Sequence, residues 1–193
     1  MSNKASISKD AIAQIFLEAR TYNAWQKKDI PETLLSELYD LCKMAPTGAN
    51  CQPMRVFFIH SAEAKAKLKP CLSEGNVEKT MAAPVTALIA MDVEFYEHLP
   101  FLFPHTDAKS WFEGNEQAIS DTASLNTALQ AAYFIMAARS LGLDCGPMGG
   151  FNKDKTDVAF LSETSYKSVL LVNLGYGDTK DLFDRAPRFD FDN

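Results

Sequence analysis

The sequence lacks the short motifs that announce most catalytic machinery. It has no G-x-S-x-G for a hydrolase elbow, no H-E-x-x-H for a zinc protease and no G-x-x-x-x-G-K-[ST] phosphate loop. No G-x-G-x-x-G turn is present for a Rossmann-type dinucleotide site either. Its four cysteines, Cys42, Cys51, Cys71 and Cys145, show no C-x-x-C spacing, and its three histidines do not cluster with them. That argues against a zinc site and leaves reduced thiols of a cytoplasmic protein as the expectation. Positive charge is scarce: 19 Lys and Arg stand against 25 Asp and Glu, a net charge of -6. General binding to nucleic acid or to an anionic membrane is therefore disfavoured. No apolar run is long enough to span a bilayer, and the opening Met-Ser-Asn-Lys-Ala-Ser has no signal-like apolar core. No internal repeat or low-complexity tract is visible.

What remains is a chain of 193 residues, 47% of them hydrophobic, enough for one domain spanning residues 1–193 with a substantial core. Ser8 to Ala19 reads as a helix, capped by Ser8, with Ile12, Ile15, Phe16 and Ala19 on one face. A second helix starts near Pro31, buries Leu34, Leu35, Leu38, Leu41, Cys42 and Ala45, and stops at Pro46. Met54 to His60 and Pro84 to Met91 read as strands covered on both faces, and Ser61 to Leu72 as a short, Lys-rich, exposed helix. Asn115 to Leu141 is the longest helical stretch. It is rich in alanine, as suits a central or subunit-interface helix, and Gly142 ends it. Leu143 to Phe151 reads as a Gly/Pro-rich turn, Lys153 to Leu161 as a short helix and Tyr166 to Leu174 as the last strand. Alternating strand and helix signals suggest α/β by pattern alone, though pattern cannot fix strand direction. Residues 93 to 114 break the pattern. Glu94 to Thr106 carries many aromatics, Pro100, Pro104, His98 and His105, which fits a lid, a partner-binding surface or plain core packing.

Chemistry without a catalytic set points to a borrowed cofactor, and three stretches could grip one. Arg20-Thr21-Tyr22-Asn23 offers a guanidinium for a phosphate and short polar side chains beside it, or it is simply a solvated helix end. Pro46-Thr47-Gly48-Ala49-Asn50-Cys51-Gln52-Pro53 is stiffened by two prolines, allows a close approach or positive φ at Gly48, and carries uncharged hydrogen-bonding side chains. It suits the edge of a flat polar heterocycle, or it merely turns the chain. Pro147-Met148-Gly149-Gly150 exposes backbone N–H groups, or is a tight turn. Arg185 and Arg188 lie in the irregular tail among aspartates. Cys51 and Cys145 read as small packing residues, because no positive partner for a thiolate is evident.

The run A-P-T-G-x-N-x-Q-P at Ala45 to Pro53 resembles the A-P-[ST]-x-x-N-x-Q-P signature of the FMN-dependent nitroreductase family. Together with Ala19-Arg20-Thr21, Cys145-Gly-Pro-Met-Gly-Gly-Phe and Pro187-Arg-Phe-Asp-Phe, it is most similar to the malonic semialdehyde reductase branch. The resemblance implies an α+β fold with a mostly antiparallel central sheet flanked by helices, and a C-terminal tail that crosses to a dimer partner. It implies FMN held by Arg20, Thr21 and Asn23, by Arg185 or Arg188 at the phosphate, and by Pro147, Met148, Gly149 and Gly150 at the reactive edge. Pro46, Thr47, Gly48, Asn50 and Gln52 come from the other subunit of a homodimer. NADH or NADPH is the implied co-substrate, the flavin rather than a side chain carries the chemistry, and malonic semialdehyde reduced to 3-hydroxypropanoate is the implied reaction. A broad nitroaromatic or quinone reductase is the alternative within the class. Outside it stand a flavin-binding carrier or sensor without turnover, and a non-catalytic domain that uses residues 93 to 114 for association.

Overall fold

The computed structural model describes residues 5–192; Met1–Lys4, the start of the segment searched for a signal core, and Asn193 at the tip of the tail lie outside the described residues. The chain folds around a four-stranded sheet of order β1-β2-β4-β3, with β1 at Met54–Ile59, β2 at Val85–Asp92, β3 at Asp144–Met148 and β4 at Tyr166–Gly175. All three pairings are antiparallel. The α/β pattern reading thus gives way to the α+β fold that the resemblance implied. β2 and β4 lie at the centre, and their residues Leu88, Ile89, Leu171 and Val172 have no exposed surface. β1 is an edge strand with only half-buried residues at its middle, so it is less covered than its apolar run suggested. β3 was read as a turn. Five residues carrying a glycine and a proline give no strand signal, yet a sheet edge tolerates a proline that cannot donate. Beyond β3 the chain adds one more extended piece: Thr21 bridges Cys145, Trp25 bridges Gly177, and Tyr22 N–H donates to the Cys145 carbonyl at 3.1 Å. Gly146 permits this, because a Cβ there would sit 2.7 Å from the Tyr22 carbonyl oxygen.

One face of the sheet packs on α2 (Glu32–Cys42) and α6 (Glu116–Ser140), burying Leu35, Leu38, Ile89, Phe134 and Val172 in one cluster. The opposite face packs on α3 (Ala62–Leu68) and α7 (Lys153–Phe160), around Leu68, Leu88, Leu161 and Leu171. Helix α4 (Glu74–Ala82) had no strong apolar period and was not anticipated. The first helix is shorter than its apolar period suggested. α1 covers Lys9–Ile12, with Ser8 capping it through Ala11 N–H at 3.1 Å, and continues as a π-turn over Ala13–Leu17. Phe16, expected on the buried face, is exposed.

Helix α3 exposes most of its residues, as expected, but one of its lysines is buried. Lys65 is 5% exposed and donates to the Thr80 carbonyl at 2.8 Å, the Ala83 carbonyl at 3.0 Å and Thr86 Oγ1 at 2.7 Å. Residues 93–114 form two 3₁₀ turns and α5 (Leu99–Leu102) over a satellite core of Phe95, Leu99, Phe112, Cys51 and Ala123, with Phe101 and Trp111 left on the rim. Core packing and an exposed aromatic edge coexist there. Among the described residues no helix is long and apolar enough to cross a membrane.

Candidate functional site

The π-turn after α1 ends at Leu17, three residues before Arg20, and the tail folds back against this segment. Together they enclose a cleft of about 470 Å³ whose lining includes Arg20, Thr21, Asn23, Arg139, Asp184, Arg185 and Arg188. Four guanidiniums against one carboxylate is a strong local excess in a chain of net charge -6. An oxyanion entering this cleft would meet donors in forked geometry. Arg185 Nη2 donates to the carbonyls of Leu17 (2.5 Å) and Ala19 (3.0 Å), stitching the tail to the π-turn. Arg20 donates to the Phe183 carbonyl, and Arg188 to those of Ala186 and Pro187. Each guanidinium has five N–H donors, so these bonds leave capacity for a ligand.

Arg139 was not singled out in the sequence. It sits in the last turn of α6, donates to the Ile15 carbonyl at 3.1 Å, and has a buried Nε with no partner among the described residues. A basic residue ending an alanine-rich helix looks like a C-terminal dipole partner, which hid its second setting.

A second cleft of about 600 Å³ lies next to the first, and Asn23 and Phe183 border both. The second runs past Trp25 to Gly75, Glu78 and Lys79 on α4. Asn76, next to Gly75 in sequence but outside the cleft lining, donates to the Gly150 carbonyl at 2.7 Å, and a Cβ on Gly150 would overlap that amide nitrogen. Gly149 is exposed, with open space where a Cβ would point. Thus Arg20, Thr21, Asn23, Arg185 and Arg188 come together in one cleft. Pro147, Met148, Gly149 and Gly150 lie at the end of β3 beside α4. Asn76 and Lys79 join the site from a helix the sequence did not reveal.

The Pro46–Pro53 loop stands elsewhere. Asn126 Oδ1 accepts from Gly48 N–H at 2.8 Å, and Gln130 Nε2 donates to Gln52 Oε1 at 2.7 Å. Asn126 and Arg139 are separated by 13 residues of α6, about 20 Å. Of the two options Gly48 allowed, a close approach or a positive φ, it does not take the left-handed conformation. Ala49, Asn50 and Gln52 do, with φ of 48°, 50° and 43°. Side chains with a Cβ resist that region, so the loop is held by its hydrogen bonds against local strain.

Cys51 and Cys145 are buried, and burial pushes their thiols up to about 11 and about 12. Neither is a thiolate at neutral pH, in keeping with a packing role. Asp144 is held above the ordinary carboxylate range by burial, opposed by the Gly177 N–H it accepts at 2.8 Å. No group of three or more His, Cys, Asp or Glu among the described residues could hold a metal ion.

The α+β fold around an antiparallel sheet is shared with solved proteins. A nitroreductase from Bacillus subtilis superposes with a TM-score of 0.87 at 21% identity, covering 96% of this chain and 97% of its own. A nitroreductase from Exiguobacterium sibiricum, solved in complex with FMN, superposes at 0.82 with 20% identity, covering 98% and 97%. In sequence, a Burkholderia lata protein named as an NADH dehydrogenase/NAD(P)H nitroreductase is 58% identical over 188 residues, 97% of this chain and 96% of its own. A namesake from Stenotrophomonas maltophilia is 58% identical over 182 residues, 94% and 93% of the two chains. The pattern of the Nitroreductase family matches residues 4–176. The chain belongs to the nitroreductase family of enzymes.

Proposed function

We propose that this chain is an FMN-dependent NAD(P)H oxidoreductase that works as a homodimer, with malonic semialdehyde as its small acceptor and 3-hydroxypropanoate as product. The observation that carries the cofactor is the four-arginine cleft of an otherwise acidic chain, beside a second cleft that shares Asn23 and Phe183 and reaches Gly75 and Lys79 on α4. A ligand with a phosphate at one end and an extended body fits this shape. FMN, when bound, supplies a ring that takes a hydride from NAD(P)H and gives it to a second substrate.

The chain's own residues then have three tasks. Arg20 and Arg188 bind the phosphate, with Arg185 fastening the tail that completes the cleft and Thr21 and Asn23 donating beside it. The Pro147–Gly150 end of β3 forms a wall without side-chain obstruction at Gly149. Thr47, Asn50 and Gln52 present polar edges to the ring, but the loop's anchors Asn126 and Gln130 stand about 20 Å and about 14 Å along α6 from Arg139. A second copy of the chain brings its own loop to this cleft. Leu125, Leu129 and Tyr133 form an exposed i, i+4, i+8 row on α6, and Leu41 and Met44 are exposed at the end of α2. Such a row on a central helix suits a self-complementary contact. No titrating side chain stands out as an essential acid or base, which fits chemistry supplied by a cofactor.

The semialdehyde assignment rests on the Cys145-Gly-Pro-Met-Gly-Gly-Phe and Pro187-Arg-Phe-Asp-Phe resemblance. Broad reduction of nitroaromatics or quinones is the second reading, favoured by the exposed Phe101 and Trp111 rim, which would stack on a flat substrate. The test is an absorbance spectrum of the purified protein before and after anaerobic NADH and NADPH, followed by both acceptors. Flavin bands that bleach, and recolour fastest with the semialdehyde, support the proposal. A protein that stays colourless after incubation with FMN overturns it, and faster recolouring with a nitroaromatic selects the second reading.

A further inference from the structure

One relay of four hydrogen bonds runs in a single direction from the start of β1 through Gln130 of α6 and the Pro46–Pro53 loop to α5. Met54 N–H donates to Gln130 Oε1 at 3.0 Å, and Gln130 Nε2 donates to Gln52 Oε1 at 2.7 Å. Gln52 Nε2 donates to Asn50 Oδ1 at 2.9 Å, and Asn50 Nδ2 donates to the Leu102 carbonyl at 2.9 Å. Chemistry fixes both ends: a backbone N–H can only donate and a carbonyl oxygen can only accept. The three carboxamides between them each have one orientation that satisfies both neighbours. Turning any one sets oxygen against oxygen or N–H against N–H on both sides. Gln130 is 2% exposed, so its amide has no water to turn toward.

We propose that Gln130 is a positioning residue. Its orientation is coupled to those of the Gln52 and Asn50 carboxamides, so the Asn50 bond that fastens α5, the root of the aromatic segment, survives only while the relay keeps its direction. The backbone needs such a device, since Ala49, Asn50 and Gln52 all sit in the left-handed region. Asn126, one turn earlier on α6, holds the other end of the loop through Gly48 N–H and orients its own amide by donating to the Thr122 carbonyl at 2.8 Å. The consequence for catalysis rests on the reading of this loop as facing the flavin of the partner subunit: loop and aromatic segment close one pocket as a unit, with donors and acceptors in fixed places. The fastening itself does not depend on that reading.

A carboxylate in the relay reverses it. With Gln130→Glu, one oxygen still accepts from Met54 N–H, but the other faces Gln52 Oε1. Gln52 turns to donate, Asn50 turns in response, and an oxygen is left against the Leu102 carbonyl. Gln52→Glu does the same from a half-buried position, which guards against a variant that fails to fold. Gln130→Met removes one link without reversing the rest.

The test is hydrogen exchange of the 99–106 segment in the purified protein, with whatever flavin it retains. Both Glu variants accelerate it about fivefold or more, as expected for one lost hydrogen bond, while Gln130→Met stays within about twofold of wild type. At about pH 5 the excess for Gln52→Glu over wild type shrinks, because a protonated carboxyl regains a donor. In an Asn50→Ala background, Gln52→Glu adds nothing. Unchanged exchange in both Glu variants overturns the proposal, and so does Gln130→Met loosening the segment as much as Gln130→Glu. A colourless wild type leaves this exchange experiment readable and counts against the flavin reading alone.

Discussion

Lys65 provides the sharpest test of how the core supports the site. Its ammonium is buried, faces no carboxylate, and places its three N–H donors on three neutral acceptors. Two of them, the Thr80 and Ala83 carbonyls, end α4 just before Pro84. The third, Thr86 Oγ1, passes the chain on to Asn173 Oδ1 at 2.7 Å, while Asn173 Nδ2 donates to Thr80 Oγ1 at 3.2 Å. Helix α4 carries Asn76, so the anchor of its last turn is also the anchor of the Gly150 wall.

Burial pushes the Lys65 amine down from 10.5 to about 8. The native state therefore disfavours the charged form, whereas the unfolded chain keeps its proton up to 10.5. Below pH 8 both states are charged and the penalty is fully present. Between about 8 and 10.5 the native state has released a proton that the unfolded state retains. Stability then rises with pH by about 1.36 kcal/mol per pH unit, reaching roughly 3 kcal/mol over the window. The assay is urea unfolding of wild type and Lys65→Met at several values from neutral to about pH 10, since the difference between them cancels other titrations. At neutral pH, Lys65→Met removes that penalty of roughly 3 kcal/mol but orphans two buried carbonyls at about 1–3 kcal/mol each, so the two effects largely offset and the change with pH is the informative quantity. Above pH 8 the gap should shift in favour of wild type. A gap that stays flat up to pH 10 would mean that Lys65 titrates normally, and the argument from burial would fail.

The remaining expectations concern the site. Arg20→Ala with Arg188→Ala should weaken FMN retention by at least about tenfold, since each charge-assisted phosphate contact is worth about 1.5–3 kcal/mol; equal flavin content after dialysis would sink the assignment. Gly150→Ala displaces the Asn76 amide and loses its bond to the Gly150 carbonyl, so unfolding free energy should fall by about 1 kcal/mol in a denaturant titration. Cys145, with its thiol near 12, should resist alkylation in the native protein up to about pH 9 and react once unfolded, as mass spectrometry would read. Leu129→Glu puts a charge in the exposed row on α6 and should shift a light-scattering mass from dimer to monomer; an unchanged mass would move the contact elsewhere.

Much of this molecule was legible where regular structure is long and strongly patterned. The apolar runs at Val56 to Ile59 and Val169 to Val172 fall in strands, and the 115–141 helix is off by one residue at each end. Other elements were hidden by physics that acts across the chain. β3 forms because β4 and the Thr21–Trp25 segment lie on its two sides, not because Asp-Cys-Gly-Pro-Met favours extension. Helix α4 is polar around Gly75 and Asn76 because it faces a cleft. Lys65 reads as a solvated lysine until three acceptors from distant positions are placed around it. In the site, the motif residues Arg20, Thr21, Asn23 and Arg188 gather as a local reading allows. Arg139, Asn126 and Gln130 carry no local signal, since an isolated polar residue on a helix is usually solvent-facing.

Those three residues belong to one helix, and that explains why the longest element organises the site. At its C-terminal end, α6 ties down the π-turn that delivers Arg20: Arg139 donates to the Ile15 carbonyl, and Gln14 donates to the Arg139 carbonyl at 2.7 Å. At its middle, Asn126 and Gln130 hold the strained loop. Each feature departs from regular backbone and would relax without its polar anchor. Mounting both on a single rigid rod fixes their anchors about 14 to 20 Å apart within one chain. The face of the rod between them carries Leu125, Leu129 and Tyr133, open to solvent. Two rods packed through that face would bring the loop of one chain toward the cleft of the other, so that helix length, interface and site geometry become one constraint. A local change in α6 therefore acts on cofactor binding from a distance, through the register it imposes on both ends.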